Sequence, residues 1–524
     1  AILNLIMMRK NIIFSLTLLV MLSFVEMVSA QDPETKLIQR YAETSFESGD
    51  YEFALENYLK LYENNKNDIN INFRIGVCYT ETEEDKTAGI PYLEFVISHN
   101  NFPTDAFYYL GRAYMYAYRF TEAVEALYEY KISGLKDKLV ADADHLITTS
   151  YDALEFVNQP AKVEFIHLDT SVNTAMNDYR PFITPDGDKL FFASNYRYVD
   201  DLEVNVSDIY IADRKGEGWD VAEFWEQNIF DHEEVAGISG DGENLFIYSN
   251  GDFSTHDISM AKIKKRDLER VKKGFPADKI NTRDFEHGAT MSPDGKTLVF
   301  ASNKPGGYGG FDLYFMTKDE DDNWSEPQNL GGTINTPYDE NYPTYAKDSK
   351  NLYFSSNGHS NAGGFDIVQG IYDPNKEQYG LVAPLPMPIN TPYDEMSISW
   401  VKDGIEGYIA KNRKEGFGKL DIYKIIVTPD ARSNFLQGTI MVGDEGAAEP
   451  YSDDFNKLFI TLYDKYGNIY ARYGVEGNTF IASIPSGEYK LEIYIDGSNE
   501  KYTEEMTIID SGEDQLLEET YYVK

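Results

Sequence analysis

Residues 285–303 read FEHGATMSPDGKTLVFASN, and this stretch decides the fold. Asp294-Gly295 is a hairpin turn signal, because glycine tolerates the positive φ that such turns need. The segments on both sides of the turn alternate between apolar and polar residues and are rich in strand formers. A glycine-rich loop and a third strand-like segment, residues 311–316, follow. The stretch therefore predicts a small antiparallel meander.

The same unit recurs every 53 to 55 residues, and three columns keep this register. The turn column is Gly187, Gly242, Gly295, Ser349 and Gly404. The asparagine that ends the second strand is Asn195, Asn250, Asn303, Asn357 and Asn412. The aspartate that opens the third strand is Asp208, Asp257, Asp312, Asp366 and Asp421. A repeat of this length made of short strands indicates a propeller or another repeat array, and five copies predict five blades over residues 162–428.

A fourth column lies nine residues before each turn position and contains only carboxylates. Its members are Asp178, Glu233, Glu286, Glu340 and Glu395. Closure of the blades into a ring would place them around one mouth of a central channel. They could hold a divalent cation such as Ca²⁺ or a segment of a partner rich in lysine and arginine. Alternatively, each carboxylate accepts hydrogen bonds from the loop backbone of a neighbouring blade and locks the ring.

Residues 31–158 have helical periodicity and a shorter repeat. Small residues recur at Ala42, Gly76 and Gly111, and again at Ala54, Ala88 and Ala123, with intervals of 34 and then 35 residues. This is the tetratricopeptide period, in which small residues allow paired helices to approach closely. Three repeats are predicted, followed by a capping helix. The array forms either a concave groove for a peptide or partner helix, or a spacer packed against its neighbour.

The net charge limits the possible partners, and the first 30 residues indicate the cellular compartment. The net charge of −41 argues against nucleic acid or an anionic membrane surface as a partner. Arg9-Lys10, an apolar run over residues 12–25 and Val28-Ser29-Ala30 predict a signal peptide cleaved after Ala30, although a membrane anchor is the alternative. No later segment predicts a membrane-spanning helix. The one cysteine, Cys78, is expected to be a small core residue.

Residues 433–524 contain several short strand-like segments separated by turns such as Asp464-Lys465-Tyr466-Gly467-Asn468. This punctuation predicts a β-sandwich.

The sequence offers little support for an enzyme. Residues 237–241, GISGD, miss the spacing of a serine nucleophile elbow, and His232-Glu233 lacks the second histidine of a zinc helix. The histidines are scattered singly, and those near the carboxylate column, His232 and His287, are expected to lie exposed in loops. The glycine-rich loops join strands rather than opening a helix, so phosphate binding is a weak interpretation.

The blade sequence, best seen in residues 292–300, resembles the WD40-like repeats of TolB-type propellers. The order of signal peptide, tetratricopeptide array and propeller resembles the PorE-like envelope proteins of Bacteroidetes, which belong to the type IX secretion system. That resemblance implies a five-bladed propeller, a carboxypeptidase-regulatory-like domain over residues 433–524, and a terminal OmpA-like domain that binds peptidoglycan. The chain departs from this order because it ends at Lys524 without the OmpA-like domain. We therefore expect peptidoglycan contact only through partners, and a truncated or incomplete gene.

These observations lead to one expected function and one alternative. The expected function is a non-catalytic periplasmic scaffold, held at the outer membrane by proteins of the secretion or envelope-assembly machinery. No cofactor is expected apart from the possible Ca²⁺. The alternative is an envelope receptor for a carbohydrate or a peptide.

Overall fold

The structure is a computed structural model. It describes residues 33–82, 85–133, 138–158, 160–199, 204–225, 232–250, 256–265, 267–271, 274–345, 351–373, 378–428, 434–444, 446–451, 458–465, 469–473, 478–484, 487–495, 501–509 and 516–523. The predicted signal peptide and the turn position Ser349 lie outside these ranges. The chain divides into two compact units, Ala1–Asp144 and His145–Lys524.

The N-terminal region is helical, as predicted. Its helices are α1 (Pro33–Ser48), α2 (Tyr51–Asn64), α3 (Ile69–Glu81), α4 (Ile90–Ile97), α5 (Asp105–Tyr116), α6 (Phe120–Ile132) and α7 (Lys138–Asn158), with a 3₁₀ turn at Lys86–Gly89. Aspartates cap two of them: the Asp50 carboxylate accepts from the Phe53 N–H, and the Asp68 carboxylate accepts from the N–H groups of Asn70 and Ile71. Such caps satisfy amide groups that the first helical turn leaves unpaired.

The small-residue column marks close helix contacts. A Cβ atom added at Gly76 would lie 2.4 Å from Leu93 Cγ, and one at Gly111 would lie 2.5 Å from Leu127 Cγ. Glycine is needed at both positions because the leucine of the paired helix occupies that space. Cys78 is fully buried. Among the described residues, none of the helices combines the length and the apolarity needed to cross a membrane.

The region after α7 is rich in β-sheets. The first sheet contains β2 (Asp178–Ile183), β3 (Lys189–Val199), β4 (Val204–Lys215), β5 (Gly218–Trp219) and β6 (Glu223–Phe224). The second contains β7 (His232–Ile238), β8 (Asn244–Asn250), β9 (Asp257–Ile263) and β10 (Leu268–Arg270). The short helix α8 (Ala277–Ile280) follows. The third sheet contains β11 (Glu286–Met291), β12 (Thr297–Ser302), β13 (Asp312–Thr317) and β14 (Gln328–Asn329).

Two further sheets follow the same order. The fourth contains β15 (Glu340–Tyr345), β16 (Leu352–Ser356), β17 (Asp366–Asp373) and β18 (Gln378–Pro384). The fifth contains β19 (Ile398–Lys402), β20 (Glu406–Lys411), β21 (Asp421–Val427) and, beside β21, the early strand β1 (Val163–His167). The chain thus completes its fifth sheet with a strand that precedes the first.

Apolar side chains join each sheet to the next one. Phe182 of the first sheet shares a buried cluster with Ile247 of the second, and Phe246 of the second shares one with Phe300 of the third. Corresponding clusters join the third sheet to the fourth and the fourth to the fifth. A further cluster contains Tyr408 of the fifth sheet and residues of the first. Every described sheet of this series therefore packs on two others.

Two sheets form the C-terminal part. One contains β22 (Asn434–Val442), β23 (Glu449–Pro450), β26 (Thr479–Ile484) and β29 (Leu516–Val523). The other contains β24 (Leu458–Asp464), β25 (Ile469–Tyr473), β27 (Gly487–Ile495) and β28 (Lys501–Ile508). One buried cluster contains residues of both sheets, among them Ile440, Phe480, Leu462 and Leu491. A shared apolar core of this kind is what holds two sheets face to face.

Candidate functional site

The carboxylate column lies inside the protein. Its five members stand at or just before the first strand of each sheet, and the exposed fraction of each residue is 0 or 1%. An ionised carboxylate at such depth needs hydrogen-bond donors or a counter-charge, because burial removes its hydration. The donors around each member therefore decide what the column can do.

Glu340 has the hydrogen-bond set that its position requires. The Thr336 N–H donates to one carboxylate oxygen at 2.8 Å. The hydroxyl groups of Thr336 and Ser356 donate to the other oxygen at 2.7 and 2.9 Å. Glu286 has the same three contacts, with the threonine four residues before it and the serine sixteen residues after it. The carboxylate therefore ties the segment entering a sheet to the second strand of that sheet.

The backbone at the column is bonded to the preceding sheet. The Glu340 N–H donates to the Phe311 carbonyl at 2.7 Å, and the Asp178 N–H donates to the Leu420 carbonyl at 2.8 Å. Phe311 and Leu420 each stand directly before the third strand of the preceding sheet, and for Asp178 that is the fifth sheet. We call each such junction a seam. The column therefore lies at the seams, and its structural and binding alternatives both stay predictions.

Two members of the column face a base instead of relying on hydroxyl groups alone. Lys411 lies in β20 where the other sheets have serine, and its Nζ is 2.6 Å from Glu395 Oε1. Both side chains are at least 95% buried. Arg270 Nη2 is 2.6 Å from Glu233 Oε1. The same structural position is therefore stabilised by a neutral donor at some seams and by a cation at others.

Burial shifts the acid–base properties of the column. It raises the pKa of Glu340 to about 7, and the charge of Asp312 adds to the shift. Burial likewise raises the pKa of Glu395 to about 7, although Lys411 opposes the change. The pKa of Asp178 rises to about 6 for the same primary reason. Some of these carboxyl groups therefore hold a proton near neutral pH.

The aspartate column anchors the loops before the third strands. The Asp312 carboxylate accepts from the N–H groups of Tyr308 and Gly309 at 2.6 and 3.1 Å, and from Asn329 Nδ2 at 3.0 Å. Asp421 binds the corresponding amides of its own loop, Asp366 binds the Ala362 N–H, and Asp208 pairs with Arg197 at 2.5 Å. Asp257 opens β9. The glycine-rich loop over residues 306–310 thus directs amides at an aspartate of its own chain.

The asparagine column joins the end of the second strand to the start of the first strand in several sheets. The side-chain oxygen of Asn303 accepts from the Phe285 N–H at 2.8 Å. Asn195 and Asn357 accept in the same way from the residue that precedes their own column carboxylate, at 2.8 and 2.9 Å. Asn250 ends β8, and Asn412 directly follows β20. These asparagines fix the residue before the column carboxylate.

A second polar group lies one and two positions after the column. We call it the central cluster: Tyr179, Arg180, Glu234, His287, Asn341 and Tyr342. Arg180 forms an ion pair with Glu234, whose other carboxylate oxygen accepts from the Tyr179 hydroxyl at 2.6 Å. The Arg180 guanidinium lies 4.4 Å from the centroid of the Tyr342 ring. The cluster connects the first strands of four sheets, and sequence reasoning missed it.

The backbone of the central cluster is strained at two residues. Arg180 has φ +51° and Tyr342 has φ +45°, in the left-handed region that costs free energy for residues with a Cβ. Both lie where the register of β2 and β15 shifts, and each precedes a proline. A sequence signal for this strain was available: two residues after the column carboxylate comes a bulky residue that directly precedes a proline.

The electrostatics of the central cluster keep the ion pair charged. Burial alone would raise the pKa of Glu234, but Arg180 and the hydrogen bond from Tyr179 lower it overall. Burial, followed by the charge of Arg180, lowers the pKa of His287 to about 4. His287 is therefore a neutral aromatic side chain near pH 7, and its ring stacks on Phe311 with a centroid distance of 4.5 Å.

The expectation of exposed loop histidines is wrong for the two near the column. His287 lies in β11 and His232 in β7, and both are only partly exposed. His232 Nδ1 accepts from the Ser207 N–H at 3.3 Å. Their packing against neighbouring sheets explains the difference. Within the described ranges, no group of three or more His, Cys, Asp or Glu side chains is arranged to hold a metal ion. Calcium binding by the column stays a prediction.

A cleft of about 710 Å³ lies at the other end of the first strands, beside the hairpin turns of the first two sheets. Its lining includes Asp186, Asp241, Lys189 and Lys264. Lys189 is paired with Asp213, and Lys264 with Glu269. The cleft is thus a surface of mixed charge, unlike the buried column.

Comparisons with known proteins give structural similarity only. No protein-family model matches the sequence, and no curated protein matches it. Among solved structures, TolB from Acinetobacter baumannii is 15% identical, with 55% of this chain and 70% of that one covered and a TM-score of 0.29. Fructan 1-exohydrolase IIa from Cichorium intybus is 10% identical, with coverages of 69% and 100% and a TM-score of 0.30. A puromycin hydrolase is 10% identical, with coverages of 51% and 37% and a TM-score of 0.24.

Proposed function

We propose that this chain is a non-catalytic scaffold that binds other proteins in the periplasm, at the outer membrane, as an accessory of type IX secretion or envelope assembly. The observation that carries the proposal is the use of the carboxylate column. Its members are buried and bonded to threonine, serine, lysine or arginine of their own chain. Carboxylates that stabilise seams in this way have a structural role, so we infer that partner binding takes place on the protein surface.

The proposal includes a finer architecture. The region over residues 162–428 is a five-bladed, TolB-type WD40-like propeller. The shared strand order of five sheets, and the cluster that joins the fifth to the first, support this reading. Residues 31–158 are a tetratricopeptide array, supported by the glycine contacts at its repeat positions. Residues 433–524 are a carboxypeptidase-regulatory-like β-sandwich, supported by the core shared between two sheets.

Export through the predicted signal peptide, cleaved after Ala30, is part of the proposal. The charge of −41 suits a protein that meets neutral or basic partner surfaces rather than nucleic acid or anionic lipid.

The proposal is tested by recovering the tagged full chain from envelope fractions after mild cross-linking. Co-purification of outer-membrane secretion components, absent from a control in which the tag is on an unrelated periplasmic protein, is the expected result. Hydrolysis of an ester or peptide by the purified chain, abolished by Glu234→Gln in protein that circular dichroism shows to be folded, would overturn the non-catalytic assignment. Recovery of the tagged chain without any envelope protein would overturn the scaffold.

One observation favours a second candidate, an envelope receptor for carbohydrate. Tyr196 and Tyr198 are 57% and 55% exposed and lie two residues apart in β3. Exposed aromatic rings can stack on sugar faces. Glycan retention by the full chain, lost in Tyr196→Ser with Tyr198→Ser and kept in Tyr128→Ser, would favour this candidate over the scaffold.

A further inference from the structure

The seam between the fifth sheet and the first differs from the other four in how the chain connects its two sheets. At the other seams the chain runs on from the last strand of one sheet to the first strand of the next. After β21 it instead enters the C-terminal sheets, and the early strand β1 pairs with β21. We call this junction the closing seam. Its two sheets separate when noncovalent contacts are lost, because no direct chain connection leads from β21 to β2.

Hydrogen bonds fasten the closing seam at three places. β1 pairs with β21 along its whole length. The Asn173 side chain, between β1 and β2, accepts from the Ile422 N–H at 2.8 Å and donates to the Ile422 carbonyl at 3.0 Å. The Asp178 N–H of β2 donates to the Leu420 carbonyl at 2.8 Å. These contacts surround Asp421, the first residue of β21, on both sides in sequence.

Asp421 lies beside two titratable side chains from different strands. Its Oδ2 is 2.7 Å from His167 Nε2 of β1. Burial raises the pKa of Asp178 in β2 to about 6, and the charge of Asp421 adds to the shift. In acid, a charged imidazole attracts the Asp421 carboxylate and a protonated Asp178 does not repel it. In alkali the imidazole is neutral and the two carboxylates repel each other.

The surroundings of Asp178 leave its charge poorly compensated. The Thr174 N–H and hydroxyl donate to Oδ2 at 2.5 and 2.9 Å, whereas Oδ1 has no hydrogen-bond partner among the described residues. Tyr210 also lies near Asp178, but burial raises its pKa, so it stays neutral. Glu233 and Glu395, at two other seams, each have a base at 2.6 Å. Within the described part of the chain, Asp178 has no such ion pair.

The surroundings of His167 make Asp421 its main charged neighbour. Glu415 also lies near the imidazole, but it is paired with Arg413 at 2.5 Å. The opposite charges of this pair largely offset each other at His167. The imidazole stacks on the Tyr423 ring with a centroid distance of 4.8 Å. Protonation of His167 therefore acts mainly on its contact with Asp421.

We propose that the closing seam is a pH-sensitive clasp, in which His167, Asp421 and Asp178 hold the fifth sheet to the first in acid and open more often as the pH rises. The closed state binds the Asp178 proton more tightly than the open state does. The associated stability is therefore complete below pH 3.8 and is lost as the pH rises through 6. Loss of the imidazole charge acts in the same direction. The inference does not depend on the proposed scaffold function.

Hydrogen–deuterium exchange of the full chain at pH 5 and pH 8, followed by mass spectrometry, tests the proposal. The rates are corrected for the intrinsic pH dependence of amide exchange. We expect the opening of segment 163–180 to rise by about tenfold or more between these pH values, given the pKa of Asp178. Segment 286–302 of the third sheet should change less. An unchanged opening of segment 163–180, or an equal rise in both segments, would overturn the proposal.

Two variants and a matched control identify the groups responsible. Asp178→Asn cannot ionise, so it should exchange at pH 8 as the parent does at pH 5. His167→Gln should open more often than the parent at pH 5 and equally often at pH 8. Glu340→Gln is the control, because the chain continues across its seam, and it should keep the parental rise in segment 163–180. A parental rise in Asp178→Asn, or parental exchange of His167→Gln at pH 5, contradicts the clasp. The second variant keeps the test decisive if the first does not fold.

Discussion

Two seams stabilise a buried glutamate with different side chains. One seam lies between the third and fourth sheets, and the other lies between the fourth and fifth. Each places a glutamate, Glu340 or Glu395, at the start of a sheet, with a threonine four residues earlier donating through its N–H and hydroxyl. The residue sixteen positions later is Ser356 at one seam and Lys411 at the other. The backbone contacts are the same, so only the counter-group differs.

This difference indicates that a seam needs a hydrogen-bond donor sixteen residues after the glutamate, and that this donor can be charged. Ser356 supplies a hydroxyl, and Glu340 adapts through a pKa near 7 caused mainly by burial. Lys411 supplies an ammonium group, but burial lowers its pKa, so the ion pair has a desolvation cost that the serine seam avoids. The two seams should therefore respond differently to loss of the carboxylate.

The largest effect is expected from Glu395→Gln. This change removes the carboxylate that contacts the Lys411 ammonium and leaves Asp366 as its acidic neighbour, and breaking a buried pair from one side costs about 3 to 5 kcal/mol. Urea unfolding followed by tryptophan fluorescence measures it, because Trp219, Trp225, Trp324 and Trp400 are the four tryptophans of the chain and all lie in the five-sheet region. Glu340→Gln is the matched control at the serine seam. Equal losses for the two variants would show that the lysine does not distinguish the seams.

The repeat columns explain how much of this architecture could be predicted. Turns, strand-end asparagines and paired acids recur in one register, so the five sheets and the order of their strands could be predicted from the sequence. The central cluster does not, because the position after each column carboxylate holds Tyr179, Glu234, His287, Asn341 and Met396 in turn. Five different residues form no column, although four of them meet in space.

Burial of the carboxylates was also beyond the sequence. A column of like residues shows only that they occupy equivalent places in each repeat. Carboxylates around the mouth of a central channel and carboxylates buried at the seams would give the same sequence pattern. The Lys411 substitution was visible at the fifth copy, but its contact with Glu395 depends on the pairing of β20 with the rest of the fifth sheet.

An intermediate effect is expected for the pH dependence of Glu340. Its pKa rises from 4.5 in the unfolded chain to about 7 in the folded one. The folded state therefore holds the proton more tightly, and the associated stability is lost as pH rises from 4.5 through 7. Glu340→Gln, which cannot ionise, should flatten this loss by roughly 2 to 3 kcal/mol. Urea unfolding at pH 5 and pH 8 checks the change. The exposed-residue control Glu269→Gln should retain the parental slope, and retention of that slope by Glu340→Gln would remove the explanation.

The smallest effect is expected from Ser356→Ala. The hydroxyl donates to Glu340 at 2.9 Å and accepts from the Gly358 and His359 N–H groups, so its loss should cost about 1 to 2 kcal/mol. Because this hydrogen bond lowers the pKa of Glu340, the variant should also lose stability more steeply as pH rises toward 8. Ser302→Ala at the neighbouring seam is the matched control, and it should cost slightly less because the Ser302 hydroxyl accepts from one N–H, that of Lys304. If both serine variants were as damaging as Glu395→Gln, the hydroxyl and ammonium solutions would be energetically equivalent, and a neutral donor would have no advantage at a buried seam.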